Sequence, residues 1–297
     1  MEVIKFGEQL NSPIVVCLGF FGCMHKGHVE LLERAKNRAK MTHSKVALFT
    51  FSNNHLAVLN REATVVYTYE ERLSIYDSLG VDYVIAAEFD DGFRKLTGKE
   101  FLSEFKRYDV QGIFCGFDYS CGRDRLDAAS VRNFFKNASD PPVYIVEQIC
   151  IGGEKAGTTL LRKYLRDSDV AKANALLSEP FFVLGVVGHG RGVGKTLGFP
   201  TANVTVPGEK LLPQGVFSAR VYVDGVRYPA IVNIGDIPTF GISSQTFEVH
   251  LINFNGDLYG KTLKVSLIKY LRPVTKFDSA DALSAQLQRD KEAALND

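Results

Sequence analysis

An excess of charge is what this sequence most plainly lacks. In 297 residues, 35 Lys and Arg stand against 34 Asp and Glu, a formal net charge of +1. That balance gives no field for wrapping a duplex or docking on an anionic membrane, so neither nucleic acid nor membrane is an expected partner, and any polyanion bound is small. Long apolar runs are missing too. The longest near the N-terminus, Ile14 to Phe21, is far too short to span a bilayer, and Met1 to Asn11 has one Lys and no apolar stretch of a secretory signal. Five cysteines, an odd and sparse number, build no disulfide framework, and a cytoplasmic enzyme is the expectation. The oligomeric state leaves no mark in the sequence.

What is present is enough chain for two domains, with an ordinary hydrophobic share of 45%. The first half alternates. Ile14 to Phe21 reads as a buried strand, followed by a helix over His28 to Lys40, a strand over Val46 to Phe51 and a helix over Tyr69 to Leu79. Strands over Val81 to Phe89, Val110 to Gly116 and Pro142 to Ile149, with a helix over Gly98 to Tyr108, complete a doubly wound α/β pattern. Helices around Thr158 to Leu165 and Asp169 to Leu177 lead out of it.

From Phe181 the pattern changes to short strands at Phe182 to Gly188, Val216 to Val223, Arg227 to Ile234, Phe247 to Phe254 and Thr262 to Leu271. Asp224-Gly225 and Asn255-Gly256 read as hairpin turns that need φ > 0, and the whole as a closed barrel or sandwich. An amphipathic helix over Ser279 to Leu295 is expected to lie against it. The boundary falls near Ser178 to Phe181, giving domains 1–179 and 180–297.

Two stretches carry chemistry. Gly188 to Asn203 is the most glycine-rich segment, and it ends in Pro-Thr-Ala-Asn. Glycines such as Gly188, Gly190 and Gly194 let amide N–H groups converge on an anion, and Arg191 and Lys195 add charge. A P-loop ending in Gly194-Lys195-Thr196 fails on register, because His189 stands where its first glycine belongs and Pro200 cuts the helix that should follow. A plain surface hairpin would also account for the glycines.

The second stretch is Gly19-Phe-Phe-Gly-Cys-Met-His-Lys-Gly-His28. His25 and His28, three apart at a helix N-terminus, can face one anion beside the backbone N–H groups and the helix dipole. Cys23 and Cys17 raise a zinc alternative, for which no second cluster has the spacing to complete a tetrahedral site.

The histidine stretch resembles the H-x-G-H nucleotidyltransferases, and its flanks resemble the adenylyltransferase half of prokaryotic bifunctional riboflavin kinase/FAD synthetases. The resemblance implies that His25 and His28 bind ATP phosphates and stabilise the transition state as the FMN phosphate attacks the α-phosphorus. Gly116-Phe-Asp-Tyr-Ser-Cys-Gly122 is similar to the family's G-F-D-F-x-F-G turn, which places Asp118 beside the nucleotide. Gly157-Thr-Thr-Leu-Leu-Arg162 is similar to S-S-T-x-I-R, which gives Thr158, Thr159 and Arg162 to the phosphates. The pattern departs at Gly22-Cys23, where the family has Asp-Gly, at Asn53-Asn54-His55 in the T-F-x-P-H-P motif, at Asp127-Ala128, where it has Gly-Asp, and at Gly157.

Gly185 to Asn203 resembles the riboflavin kinase motif ending G-[RK]-x-L-G-F-P-T-A-N. The resemblance gives Thr201 and Asn203 to the Mg²⁺-nucleotide, a role their hard oxygen atoms suit. It also makes Glu248, on Phe247-Glu-Val-His-Leu-Ile252, the general base for the ribityl 5′-hydroxyl. An exposed ordinary glutamate is the alternative for that position.

The expected architecture is therefore a Rossmann-like nucleotidyltransferase domain followed by an antiparallel riboflavin kinase-like β-barrel with a terminal helix. ATP and Mg²⁺, with riboflavin, FMN and FAD as substrates and products, are what the resemblance implies. Two further readings stand beside it: a riboflavin kinase whose first domain is degenerate, and a non-catalytic sensor of flavins or nucleotides.

Overall fold

The computed structural model describes every residue except 62, 152, 189–198 and 240–241, and it gives backbone alone for 236–239 and 242–244. Contacts divide the chain into two compact units, Met1–Thr158 and Thr159–Asp297.

The first unit is a six-stranded parallel sheet. Its strands β1 (Glu2–Lys5), β2 (Ile14–Leu18), β3 (Lys45–Phe51), β4 (Tyr83–Ala87), β5 (Val110–Gly116) and β8 (Val143–Val146) lie in the order β1-β4-β3-β2-β5-β8. All five residues of β2 are buried, as a central strand covered on both faces requires. Two short ribbons accompany the sheet, β6 (Ser120–Cys121) with β7 (Leu126–Asp127), and β9 (Cys150–Ile151) with β10 (Glu154–Lys155).

The helices are α1 (Lys26–Met41), α2 (His55–Val58), α3 (Tyr69–Ser78), α4 (Asp91–Lys95), α5 (Gly98–Glu104) and α6 (Ala128–Phe134). Helix α1 buries Leu31, Leu32, Ala35 and Ala39, a stripe at helical spacing. Much of the aromatic content is core: Phe6, Phe49, Phe101 and Phe105 form a cluster with ring centroids 4.9–5.9 Å apart.

From β2 the chain winds outward through β3 and β4, then returns to build β5 and β8 on the opposite side. The order reverses between β2 and β5, and ligands of such sheets bind beyond the strand C-termini at that point. Gly19 to His28 leaves the end of β2, and Gly116 to Gly122 leaves the end of β5.

Helices α7 (Thr158–Arg166) and α8 (Val170–Leu176) precede a closed antiparallel barrel of β11 (Phe182–Gly188), β12 (Ala202–Thr205), β13 (Gly215–Val223), β14 (Val226–Thr239), β15 (Ile242–Leu251) and β16 (Thr262–Arg272). Strands pair in the circular order β11-β12-β15-β14-β13-β16. Asp224 and Gly225 take φ of 50° and 82° and form the β13–β14 hairpin. Asn255-Gly256 forms no tight hairpin. Between β15 and β16 the left-handed positions are Asn253 and Gly260, and β15 ends at Leu251 rather than Phe254.

The terminal helix α9 (Ala280–Asn296) packs on β13 and β14. Arg272 holds it through a bidentate pair with the buried Asp290, at 2.8–3.2 Å. Asp290→Ala would leave the guanidinium unpaired, and such losses typically cost about 3–5 kcal/mol. Denaturant unfolding of the variant is expected to show a loss at the lower end of that range, because Arg272 keeps some exposure.

Candidate active sites

His25 is the N-cap of α1 and His28 lies in its first turn. The His28 N–H donates to His25 Nδ1 at 3.3 Å and to the His25 carbonyl at 2.8 Å, and the two rings stack at 3.7 Å. Gly27 eases this packing: a Cβ there would lie 3.1 Å from two atoms of the His25 ring, close enough that the ring would have to give way slightly. Gly27→Ala is therefore expected to displace His25 and slow whatever step the histidines serve by about tenfold, with the barrel's activity as internal control.

The turn before the histidines holds Phe21 and Met24, both buried, at φ of 50° and 39°. Non-glycine residues persist there only when their surroundings over-determine them. Buried Thr50 donates to the Phe20 carbonyl at 2.7 Å and accepts from Arg72 at 2.7 Å, and Tyr76 donates to the Phe21 carbonyl at 2.9 Å.

Asp118, in the turn after β5, pairs with Lys155 at 2.6 Å, and both charges act on His25. Thr158 Oγ1 lies 3.3 Å from the Cys23 sulfur. His25, His28, Asp118 and Thr158 thus gather at the switch point. The contact boundary passes through the start of α7, so Thr159 and Arg162 belong to the second unit.

Burial, more than any charge, pushes His25 down to about 4, with Asp118 opposing and Lys155 reinforcing the shift. Burial also holds His28 well below the ordinary histidine value, and His25 adds to that. His55 is lowered to about 4 by burial, then by Arg72 and Arg61. All three rings are neutral near pH 7. Their neutral folded state is fully favoured above about pH 6.5, and stability is lost as pH falls toward 4, because the unfolded chain takes up protons first. For His25 and His55 the loss approaches about 3 kcal/mol each. The unfolding midpoint of the first unit is expected to drop between pH 7 and 4.5, and a flat profile would contradict these burials.

The sequence reading missed Arg72, Thr50 and Tyr76, which act across more than twenty residues of chain, and gave His55 no role. Arg72 stacks 4.7 Å over Phe20, and His55 sits among Phe20, Phe51 and Phe89. The T-F motif at Thr50 was the one available signal.

In the barrel, register brings the other residues together. Gly188 pairs with Asn203, Asn203 with Glu248, and Glu248 with Asn233, one rung across four strands. Cβ atoms so paired lie about 4.5–5.5 Å apart on one face. Phe247, Val249 and Leu251 are buried on the other face of β15, and Glu248 is half-buried.

Asn233 was also missed. Its Oδ1 is buried with no hydrogen-bond partner, at the edge of a cavity of about 610 Å³ lined by Gln214, Thr246, Tyr270 and Val274 among others. Thr201 is exposed just before β12, and His250 Nδ1 lies 2.8 Å from the Pro200 carbonyl, tying this segment to β15. Gly190, Gly194 and Lys195 lie outside the described residues.

Each unit thus gathers polar groups that suit phosphate chemistry at the end or rim of its sheet, and together with the matches that follow they define a two-domain transferase. Residues 7–160 match a family model described as FAD synthetase, and residues 177–296 one described as riboflavin kinase. The bifunctional riboflavin kinase/FMN adenylyltransferase of Escherichia coli K12 is 32% identical, covering 98% of this chain and 96% of its own length. That of Bacillus subtilis is 30% identical, covering 97% and 93%. The chain belongs to this bifunctional family.

A solved Streptococcus pneumoniae structure, described as a macrolide-efflux protein, matches with a TM-score of 0.90 at 30% identity over 99% of both chains. The shared fold is what bears on this chain. Among the described residues no helix is long and apolar enough to cross a membrane.

Proposed function

We propose that the chain phosphorylates riboflavin to FMN in the barrel and adenylylates FMN to FAD at the parallel sheet, with ATP as donor in both steps. The observation that carries the kinase assignment is the rung Gly188–Asn203–Glu248–Asn233, which sets a carboxylate between two amide side chains, one of which, Asn233, lines a cavity. Glu248 takes the proton of the ribityl 5′-hydroxyl as its oxygen attacks the γ-phosphorus and ADP leaves.

Thr201 and Asn203 supply a hydroxyl and an amide oxygen, hard donors that fit Mg²⁺, and the buried, unpaired Asn233 Oδ1 on the same rung fits a cation or a ligand N–H. Bound there, Mg²⁺ would neutralise phosphate charge. The glycines Gly188, Gly190 and Gly194, with Lys195, cradle the phosphates.

In the first domain a phosphate oxygen of FMN attacks the α-phosphorus of ATP and pyrophosphate leaves. His25 and His28 act as neutral hydrogen-bond donors to the phosphates, beside the N-terminus of α1. Thr158 extends the phosphate contacts, Asp118 orients the nucleotide side of the turn, and Thr159 and Arg162 keep the phosphate-binding role that the family resemblance implies for them. We set the functional boundary at 179/180. Five free thiols suit a reducing compartment, and we assign the protein to the cytoplasm.

Incubation with Mg²⁺-ATP and FMN, with the flavins resolved by chromatography, is expected to give FAD. FMN formed from riboflavin without any FAD formed from FMN would reduce the assignment to a kinase. Gly157 tests the motif departures: a Cβ there meets nothing within 4 Å. Gly157→Ser, which restores the family residue, is expected to keep or raise the rate of FAD formation, and a fall of about tenfold would show the glycine to be required.

A further inference from the structure

The turn between β2 and α1 carries a group that adenylyl transfer does not use, the thiol of Cys23, at a position where the family pattern has glycine. Its sulfur and one ring nitrogen from each of His25 and His28 lie within 4.8 Å of one another. We propose that these three side chains bind a soft divalent transition-metal ion, zinc being representative, and that the bound ion stops FAD formation by withdrawing both histidines from the ATP phosphates. The second half of this inference rests on the assignment of adenylyl transfer to His25 and His28.

The donor set selects the metal. One sulfur and two imidazoles favour zinc or copper over the magnesium or calcium that oxygen ligands hold. Around a tetrahedral zinc, with Zn–S of about 2.3 Å and Zn–N of about 2.0–2.1 Å, ligand atoms lie about 3.3–3.6 Å apart. The cluster therefore closes by no more than about 1.5 Å, and since an imidazole lone pair lies in the ring plane, the two rings, stacked 3.7 Å apart at 21°, must also turn out of their stack to point at one ion. Three protein ligands leave a fourth position for water or a phosphate oxygen.

The surroundings suit such a site. Cys23 and His25 are buried, and His28 Nδ1 is buried with no hydrogen-bond partner. Thr158 Oγ1, 3.3 Å from the sulfur, can donate to the thiolate and orient it. If His25 exchanges its cap bond for the metal, the His28 amide keeps the His25 carbonyl as acceptor at 2.8 Å. Binding breaks the Cys23 S–H bond, releases that proton to solvent and forms the S–metal bond, with no change of oxidation state. Cys17 and Cys115 lie within strands β2 and β5 and are not part of the cluster.

Cobalt(II) titration of the full chain, freed of metal by chelation and without ATP or flavin, reads the site directly. A sulfur-to-cobalt charge-transfer band saturating at one equivalent, and displaced by Zn²⁺, is expected. Cys23→Ser, and Cys23→Gly as the family-like variant, should lose the band and bind at least about tenfold more weakly, whereas Cys150→Ser, which alters an exposed thiol, should keep it. No band in the unmodified protein, or a band that survives in both Cys23 variants, overturns the site.

In the second arm Zn²⁺ is added to FAD formation from FMN under excess Mg²⁺-ATP. The unmodified protein should slow, each Cys23 variant should hold its own zinc-free rate, and FMN formation from riboflavin should not respond. Equal inhibition of protein and variants overturns the switch. If the unmodified protein makes no FAD even without zinc, the adenylyltransferase assignment and the switch fail together, while the cobalt result stands by itself.

Discussion

Glu248→Gln is expected to slow FMN formation by a factor of about 10² to 10⁴ while flavin binding is retained. The substitution keeps the shape and the place in the rung between Asn203 and Asn233, and removes only the ability to accept a proton. Steady-state rates with riboflavin, together with a fluorescence titration of riboflavin against the same variant, separate the two effects. If turnover survives, another group takes the proton and Glu248 is a positioning residue at most. FAD formation from supplied FMN is expected to be unaffected, since that step belongs to the other domain.

His28→Ala is the second large effect, a loss of about 10² to 10³ in FAD formation with the kinase rate unchanged. The ring sits 3.7 Å from that of His25 and 5.0 Å from that of Phe21, so its removal takes away the proposed phosphate donor and the packing of its partner together. His28→Gln, whose amide nitrogen reaches about as far as the ring's Nε2, should recover part of the rate, Nδ1 being buried. Equal loss from Ala and Gln would point to packing alone. A parallel fall in kinase activity would contradict the separation of the two sites.

Many strands were legible because they announce themselves: in the sheet β2 and β5 are apolar runs with helical patterns between them, and in the barrel the bounds of Phe182–Gly188 agree to the residue. β1 escaped because three of its four residues are exposed and its apolar part is only Val3-Ile4, with a charged residue at either end. β12 escaped because it is four residues long and directly follows the glycine-rich segment, whose composition reads as loop. Asn255-Gly256 misled because a dipeptide that favours a tight hairpin was overridden by a ten-residue connection whose left-handed positions are Asn253 and Gly260.

The sites divide in the same way. His25, His28, Thr201, Asn203 and Glu248 lie in local motifs, and local motifs survive in sequence. Asn233 and Arg72 do not. Asn233 joins the rung of Asn203 and Glu248 only through the register of β14 against β15, and Arg72 reaches the loop after β2 only because α3 lays it over Thr50 and Phe51. Cys23 stood in plain view as a departure from the family pattern. Its meaning depends on the 4.8 Å cluster, which no spacing rule predicts.

The most direct test of the account follows the phosphorus. The protein is incubated with riboflavin, Mg²⁺ and ATP labelled at either the γ- or the α-phosphate, and FMN and FAD are separated. The account predicts γ-label in both flavins and α-label in FAD alone. Labelled FMN with no α-label in any flavin would contradict the claim that one chain carries both transfers.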